Sequence, residues 1–352
     1  MRIKVINAGM LTTVQDAGRY GMQASGMQVS GCMDTEAAAL ANLLVGNDES
    51  AEGLAVLEFT YLGAELELED DALLAVTGGL PDVQLDGKAV QPYKAIIVRA
   101  GQRFKVGAQK KGMRAYIAVA GGFAVDAIFG SRSTNLKLGI GGYQGRKLAA
   151  GDELPVGDLN AYARKALAGE CRLRQADIPA DASELATIHI VLGPQEDYFS
   201  KEEIEKFTQE IYTISSESDR MGYRLEGRAV EKIKQQDLIT DGIALGSIQI
   251  PPNGQPIIML ADHQTTGGYP KLATVATIDL PKLAQLMPGA RLQFELVSVQ
   301  EAQRALREQY QKRQVRYAEI KAAAEKKVFS TKAKKFNLKI NNEVFEVIVE
   351  PI

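Results

Sequence analysis

A mainly β fold with a few helices, built as two tandem units and closed by a C-terminal helix and hairpin, is predicted for this chain of 352 residues. Three observations predict it. Short β-rich runs alternate with glycine-bearing turns up to about residue 160, which favours an antiparallel barrel or sandwich over a doubly wound sheet. A second β-rich stretch of the same kind opens at Thr187. At about 150 residues per domain the length fits two domains, enough to bury roughly three quarters of the unfolded surface.

In the first unit, residues 1–160, the strand runs are Ile3–Ile6, Ala64–Leu68, Leu73–Thr77, Ala95–Val98, Arg103–Val106 and Ala115–Val119. One helix interrupts them: Asp34 is a good N-cap, Leu40, Leu43 and Leu44 make an apolar face, and Gly46-Asn47 supplies a stop. Residues 161–185 form an Ala-, Arg- and Asp-rich connector. The second unit, 186–300, includes the runs from Thr187, Ser247 and Pro256, and repeats the coarse order of the first: a strand, a polar turn with Asp and Arg, then a strand leading into Gly-Gly. In the tail, 301–352, Ser298-Val-Gln-Glu301 is a capping box opening a charged helix to Lys327, about 40 Å long, with a Glu308 to Lys312 pair. This helix reads as a solvated packing helix. Asn341-Asn342 marks the turn of the last hairpin.

Composition narrows the function. A net charge of −3 and 24% charged residues give no pull toward nucleic acid or an anionic membrane. The N-terminus lacks a leader pattern and no run of about 20 apolar residues occurs, so the chain is expected to be cytoplasmic. Cys32 and Cys171 are too few for a disulfide framework, and with His189 and His263 the only histidines, no metal site is expected.

The densest chemistry lies in Thr13-Val-Gln-Asp-Ala-Gly-Arg-Tyr-Gly21 and Ser30-Gly-Cys-Met-Asp34. Phosphate-loop and dinucleotide signatures are absent. Glycine-arginine turns are plentiful instead: Gly18-Arg19, Gly130–Thr134, Gly139–Arg146 and Asp219–Arg224. Glycine lets backbone N–H groups approach a ligand and arginine offers a planar fork, a combination suited to an anionic substrate. Each turn can equally be a bulge or a structural pair, and Asp34 can be a helix cap alone. The Ser30-Gly31 turn ahead of that helix can also aim N–H donors at an anion. His263 sits in a polar loop where a general acid or base could act, whereas His189 alternates with Ile188 and Ile190 as a satisfied strand residue. Cys32 stands by a helix start but has no histidine nearby in sequence to make it a nucleophile.

Those two segments, with Gly130-Ser-Arg-Ser133, Ser218-Asp-Arg-Met-Gly-Tyr-Arg-Leu225 and Gln264-Thr-Thr-Gly-Gly-Tyr269, resemble the allophanate hydrolase subunit 2 family over about residues 3–300. It is also called the KipA family, or the family of the C subunit of 5-oxoprolinase, and it includes part of the carboxyltransferase region of urea carboxylase. The resemblance implies two tandem cyclophilin-like β-barrel domains and a KipI-like partner subunit. With a third, LamB/YcsF-like subunit, such a complex cleaves the small molecule 5-oxoproline to glutamate at the expense of ATP, activating the lactam carbonyl by phosphorylation. Asp16, Asp34 and His263 are then the expected catalytic groups. Gln15, Arg19, Ser30, Arg132, Asp219, Arg220, Gln264 and Tyr269 are the expected substrate contacts, with Arg19, Arg132 and Arg220 on anionic oxygens. Two alternatives follow from the same family: a carboxyltransferase taking biotin from a separate carrier, and a KipA-like regulator that binds a kinase inhibitor. The tail from Lys335 looks like the opening strands of a biotin carrier, yet the chain ends at Ile352 without the Met-Lys-Met element that carries biotin.

Overall fold

The computed structural model describes residues 1–47, 54–179, 184–234 and 238–325, and the backbone of 334–340 and 343–349. It is mainly β, as expected. The first unit stacks two antiparallel sheets. One has six strands in the order Glu153–Pro155, Arg2–Asn7, Glu65–Leu68, Arg103–Gln109, Pro81–Leu85 and Lys88–Ala89. The other has five: Leu11–Gln15, Val56–Thr60, Arg114–Val119, Ala72–Gly78 and Ala95–Val98. Ile3, Val5, Leu66 and Phe104 from the first sheet meet Val14, Leu57, Phe59, Val76 and Ile117 from the second in one core.

The five-stranded sheet is covered on both faces, so its strands lack alternation: Arg114–Val119 is buried at every residue. Helix α1, Thr35–Leu44, covers part of the outer face with Leu40, Leu43 and Leu44. Its cap is Asp34, whose carboxylate accepts the Ala37 N–H at 2.9 Å. Ala163, Ala166, Tyr317 and Ile320 cover more of that face, and the second unit meets the sheet at Glu58 and Arg114.

The second unit is a closed seven-stranded barrel, in the order Leu185–Leu192, Lys271–Val275, Ser247–Gln249, Ile257–Met259, Gly222–Glu226, Ile211–Ile214 and Arg291–Leu296. Its strand pairings are antiparallel except that between Leu185–Leu192 and Arg291–Leu296. Ile188, Tyr212, Tyr223, Ile248 and Phe294 fill its interior.

Further helices follow outside the sheets. The stretch expected as a bare connector contains α2, Ala161–Leu167, capped by Asn160; α3 spans Lys201–Gln209 and α4 Leu280–Gln285. Helix α5, Val299–Glu325, opens on the reciprocal capping box: the Ser298 N–H donates to Glu301 at 2.9 Å and the Glu301 N–H to Ser298 Oγ at 3.2 Å. It buries Tyr317, Ile320 and Ala324, with Tyr317 and Ile320 joining the core under α1 in the first unit. Lys334–Ile340 and Glu343–Val349 pair as a hairpin; the Asn341-Asn342 pair expected at its turn lies outside the described residues. No helix among the described residues is long and apolar enough to cross a membrane.

Candidate functional site

The motif segments converge on the seam between the two units. Thr13-Val-Gln is a strand, because Val14 enters the core while the alternate residues Thr13 and Gln15 face outward onto the seam. The segment Ser30–Asp34 then threads between the units. The Ser30 N–H donates to the Ala261 carbonyl of the second unit at 3.0 Å, and the Cys32 N–H to the Asp16 carbonyl of the first at 2.9 Å. Ser30 itself holds φ 59°, strained for a serine, and Asn135 Nδ2 donates to its hydroxyl at 3.1 Å. Gly31, at φ 94°, lies against Gly18, so close that a Cβ on it would stand 3.0 Å from the Gly18 Cα.

Two buried carboxylate centres brace this segment. Asp16 accepts from the Gly18 N–H at 2.9 Å, Ser131 Oγ at 2.7 Å, Ser133 Oγ and the Arg132 N–H. With its lone pairs filled by protein donors, Asp16 organises the loop around Ser131 and Ser133 rather than facing a reactant. In the second centre Arg220 bridges the units: its guanidinium is paired with Glu58 of the first and, at 2.8 Å, with Asp262 of the second, and also donates to the Gly31 carbonyl at 2.6 Å. Burial acts to lower the Arg220 pKa, but Asp262 and Glu58 outweigh it and hold it above its ordinary value.

Two of the three arginines expected to grip anionic oxygens are hydrogen-bonded within the chain, Arg220 throughout and Arg19 in part, since its buried Nη1 has no partner among the described residues. Arg19, fully buried, donates to the carbonyls of Ile128 and Ser133 at 2.9 Å each, and burial lowers its pKa. Arg220 is engaged by carboxylates and a carbonyl of its own chain. Sequence could not show this, since the acceptors of these two side chains include groups 109 to 189 residues away in the chain. Arg132, half-buried, donates from Nε to the Val125 carbonyl at 2.8 Å.

From Glu58 the network runs outward. Tyr116 donates to Glu58 at 2.9 Å and accepts the Asp34 N–H at 2.7 Å. The Asp34 carboxylate also accepts from Gln285 Nε2 of α4 at 2.7 Å, while Gln285 Oε1 accepts the Arg114 N–H at 3.2 Å. Arg114 crosses the seam to Tyr223 Oη at 2.6 Å and the Ala284 carbonyl at 2.7 Å. Asp34 is thus a cap and something more. Burial pushes its carboxyl up to about 6, against the opposing hydrogen bonds from Gln285 and Ala37.

Asp34 also lines a cleft of about 390 Å³ between α1, α4 and α5, with Glu36, Tyr93, Gln285, Lys312, Arg313 and Arg316 around it. Through Gly78, Tyr93, Pro179 and Gln285 this cleft adjoins a second of about 690 Å³ between the units. A carboxyl that titrates near neutrality at the edge of such a space can take and give a proton.

The other expected residues sit elsewhere along the seam. Gln15 is buried, its amide nitrogen donating to Thr13 Oγ1 and the Thr134 carbonyl. His263 is buried with Nδ1 2.7 Å from the Gln264 carbonyl, and desolvation lowers its pKa. Asp219 closes a tight turn onto Met221 and Gly222, and Gln264 and Tyr269 lie toward solvent. His189 meets Asp279 at 2.7 Å on the outside of the barrel. Glu58, Tyr116, Asp262 and Gln285 went unrecognised in the sequence; Glu58 had a signal, a lone acid inside the apolar run Val56-Leu-Glu-Phe. Among the described residues no group of three or more His, Cys, Asp or Glu is placed to hold a metal ion.

The Cys32 thiol is pushed well above its ordinary range by burial and by Glu58, so it is not a thiolate nucleophile. Iodoacetamide at pH 8 is expected to modify half-buried Cys171 first and to spare Cys32 until denaturant is added. Modification of Cys32 in the native protein as fast as a free thiol would show that the seam opens.

Residues 25–296, which include the seam from Ser30 to Asp262, match the family described as carboxyltransferase domain, subdomain A and B. The chain is 39% identical to the C subunit of 5-oxoprolinase from Escherichia coli over 87% of its own length and 95% of that protein. It is 37% identical to the C subunit of 5-oxoprolinase from Haemophilus influenzae, over 85% of its length and 93% of that protein. The crystal structure of the K. lactis urea amidolyase superposes with a TM-score of 0.80 at 27% identity, covering 95% of this chain, which spans about a fifth (21%) of that one. The chain belongs to the carboxyltransferase family of subdomains A and B.

Proposed function

We propose that this chain is the C subunit of an ATP-dependent 5-oxoprolinase, working with a KipI-like subunit and a LamB/YcsF-like subunit to open 5-oxoproline to glutamate. The observation that carries it is the match to the C subunit of the Escherichia coli 5-oxoprolinase, which covers 87% of this chain and 95% of that relative. On this chain Asp34 is the group suited to proton transfer. As the lactam C–N bond breaks and water supplies the hydroxyl of the new carboxylate, the departing nitrogen needs a proton, and a carboxyl near pKa 6 can deliver it.

ATP gains no hold from Arg220, one of the three arginines expected on anionic oxygens. Arg220 is taken up by Glu58, Asp262 and the Gly31 carbonyl, and Arg19 by carbonyls at Nε and Nη2, with its buried Nη1 left without a partner among the described residues. ATP falls to the partner subunits. Purified chain, both partners, ATP and 5-oxoproline should together release glutamate, with none when this chain is left out. If the three subunits with ATP release no glutamate, the proposal is wrong.

A second reading, a carboxyltransferase that receives carboxyl groups from biotin on a separate carrier, is favoured by the family match and by the superposition on urea amidolyase. It would be preferred if the same preparation carried out biotin-dependent carboxyl transfer instead.

A further inference from the structure

The cleft over Asp34 has a wall that the seam does not explain. Helix α5, read from sequence as a solvated packing helix, turns Lys312, Arg313 and Arg316 into it. Opposite them stand two acids, Asp34 and Glu36, so the lining carries more positive than negative charge. Arg313 stands 3.8 Å from Glu36, and Arg316 donates to the Asp177 carbonyl at 3.0 Å. Lys312 differs from both: it is exposed and lines the cleft, and among the described residues it forms no ion pair, not even with Glu308 one turn before it. The floor holds an amide and a carboxyl already hydrogen-bonded to each other, Gln285 and Asp34. Ala37, Leu40, Pro179, Pro281 and Tyr317 supply apolar walls.

A cation at one side, a carboxyl-amide pair at the other and apolar surface between them match a small ring with an anionic group and an amide. We propose that this cleft binds a small lactam carboxylate, its carboxylate on Lys312 and Arg316 and its amide against Asp34 and Gln285. The choice of a lactam rests on the 5-oxoprolinase reading; the anionic end and the amide end rest on the cleft itself.

Lys312 is exposed, so Lys312→Glu should leave the fold intact. The test measures the Kd of L-5-oxoproline, and of 2-pyrrolidinone, which lacks the carboxylate, for the assembled subunits by calorimetry, together with KM for turnover. Lys312→Glu is expected to weaken 5-oxoproline binding and raise KM roughly 10- to 100-fold, the range for losing a charge-assisted hydrogen bond. Binding of 2-pyrrolidinone should not change, which separates a lost contact from a damaged fold. Equal 5-oxoproline Kd and KM in wild type and variant would overturn the assignment of the cleft while glutamate release still upheld the 5-oxoprolinase reading. Absence of both glutamate release and 5-oxoproline binding would overturn that reading as well.

Discussion

Replacing Arg220 with methionine is expected to destabilise the protein by about 3–5 kcal/mol, the range for removing one partner of a buried ion pair. The two carboxylates it leaves, Glu58 and Asp262, are 1% and 6% exposed and belong to different units, so the seam would hold two like charges with no cation between them. The Gly31 carbonyl loses its donor at the same time, loosening Ser30–Asp34. Acid should narrow the deficit, since protonating the abandoned carboxylates removes the buried charge. Adding Glu58→Gln to the methionine variant should likewise recover part of the loss, a non-additivity expected of one network. Urea unfolding at pH 5 and pH 8 checks both. A loss below about 1 kcal/mol would mean that the seam is open to water and the bridge screened.

Asp34→Asn is expected to move activity and stability in opposite directions. Turnover by the assembled enzyme should fall about 10²- to 10⁴-fold, the usual contribution of a positioned acid or base, and the limb of the pH-rate profile near pH 6 should vanish. Stability goes the other way. The folded carboxyl titrates at about 6 against an ordinary 3.8, so it is raised, and the folded state binds the proton more tightly than the unfolded chain. Its ionisation therefore works against folding. The penalty is absent below about pH 4, grows between about pH 4 and 6, and is fully present above that. A difference of a little over two pH units corresponds to roughly 3 kcal/mol. Asparagine caps a helix about as well as aspartate, so the variant should be more stable than wild type at pH 8 by up to that amount, and equal to it near pH 4. The gain is reduced because the Gln285 amide that now donates to Asp34 also accepts from Arg114 on its other atom and is not free to turn over. Thermal unfolding across that pH range would show it. A variant with unchanged turnover would reduce Asp34 to a cap.

What could be read in the sequence depended on which faces were buried. Ile3 and Val5 alternate with Arg2 and Lys4, so that strand was plain. Val56–Thr60 and Gly222–Glu226 were missed, the first because both of its faces are covered and no alternation remains, the second because Gly222-Tyr-Arg looked like the end of a polar turn. The site was legible as a place and less so as chemistry. Gln15, Asp16, Arg19, Ser30, Asp34 and Arg220 do converge, yet an arginine's partner cannot be seen when it lies far off along the chain, and Arg19 and Arg220 both hold acceptors of this chain that lie 109 to 162 residues away. The wall formed by α5 was hidden for the opposite reason: a charged helix looks alike whether its lysine faces open water or a cleft.

The polar seam also bears on synthesis. Seen from the ribosome, the five-stranded sheet can close once residue 119 is out, but Arg220, Asp262 and Gln285 follow about 100 to 170 residues later, a wait on the order of 10 s at roughly 5–20 residues per second. During that wait the outward face of the half-made protein shows Thr13, Gln15, Glu58, Thr60, Arg114 and Tyr116, groups that water solvates readily. A greasy face in their place would hold the finished halves together more simply, but it would leave every nascent chain sticky for those seconds. Glu58 is thus a soluble placeholder until its arginine is translated.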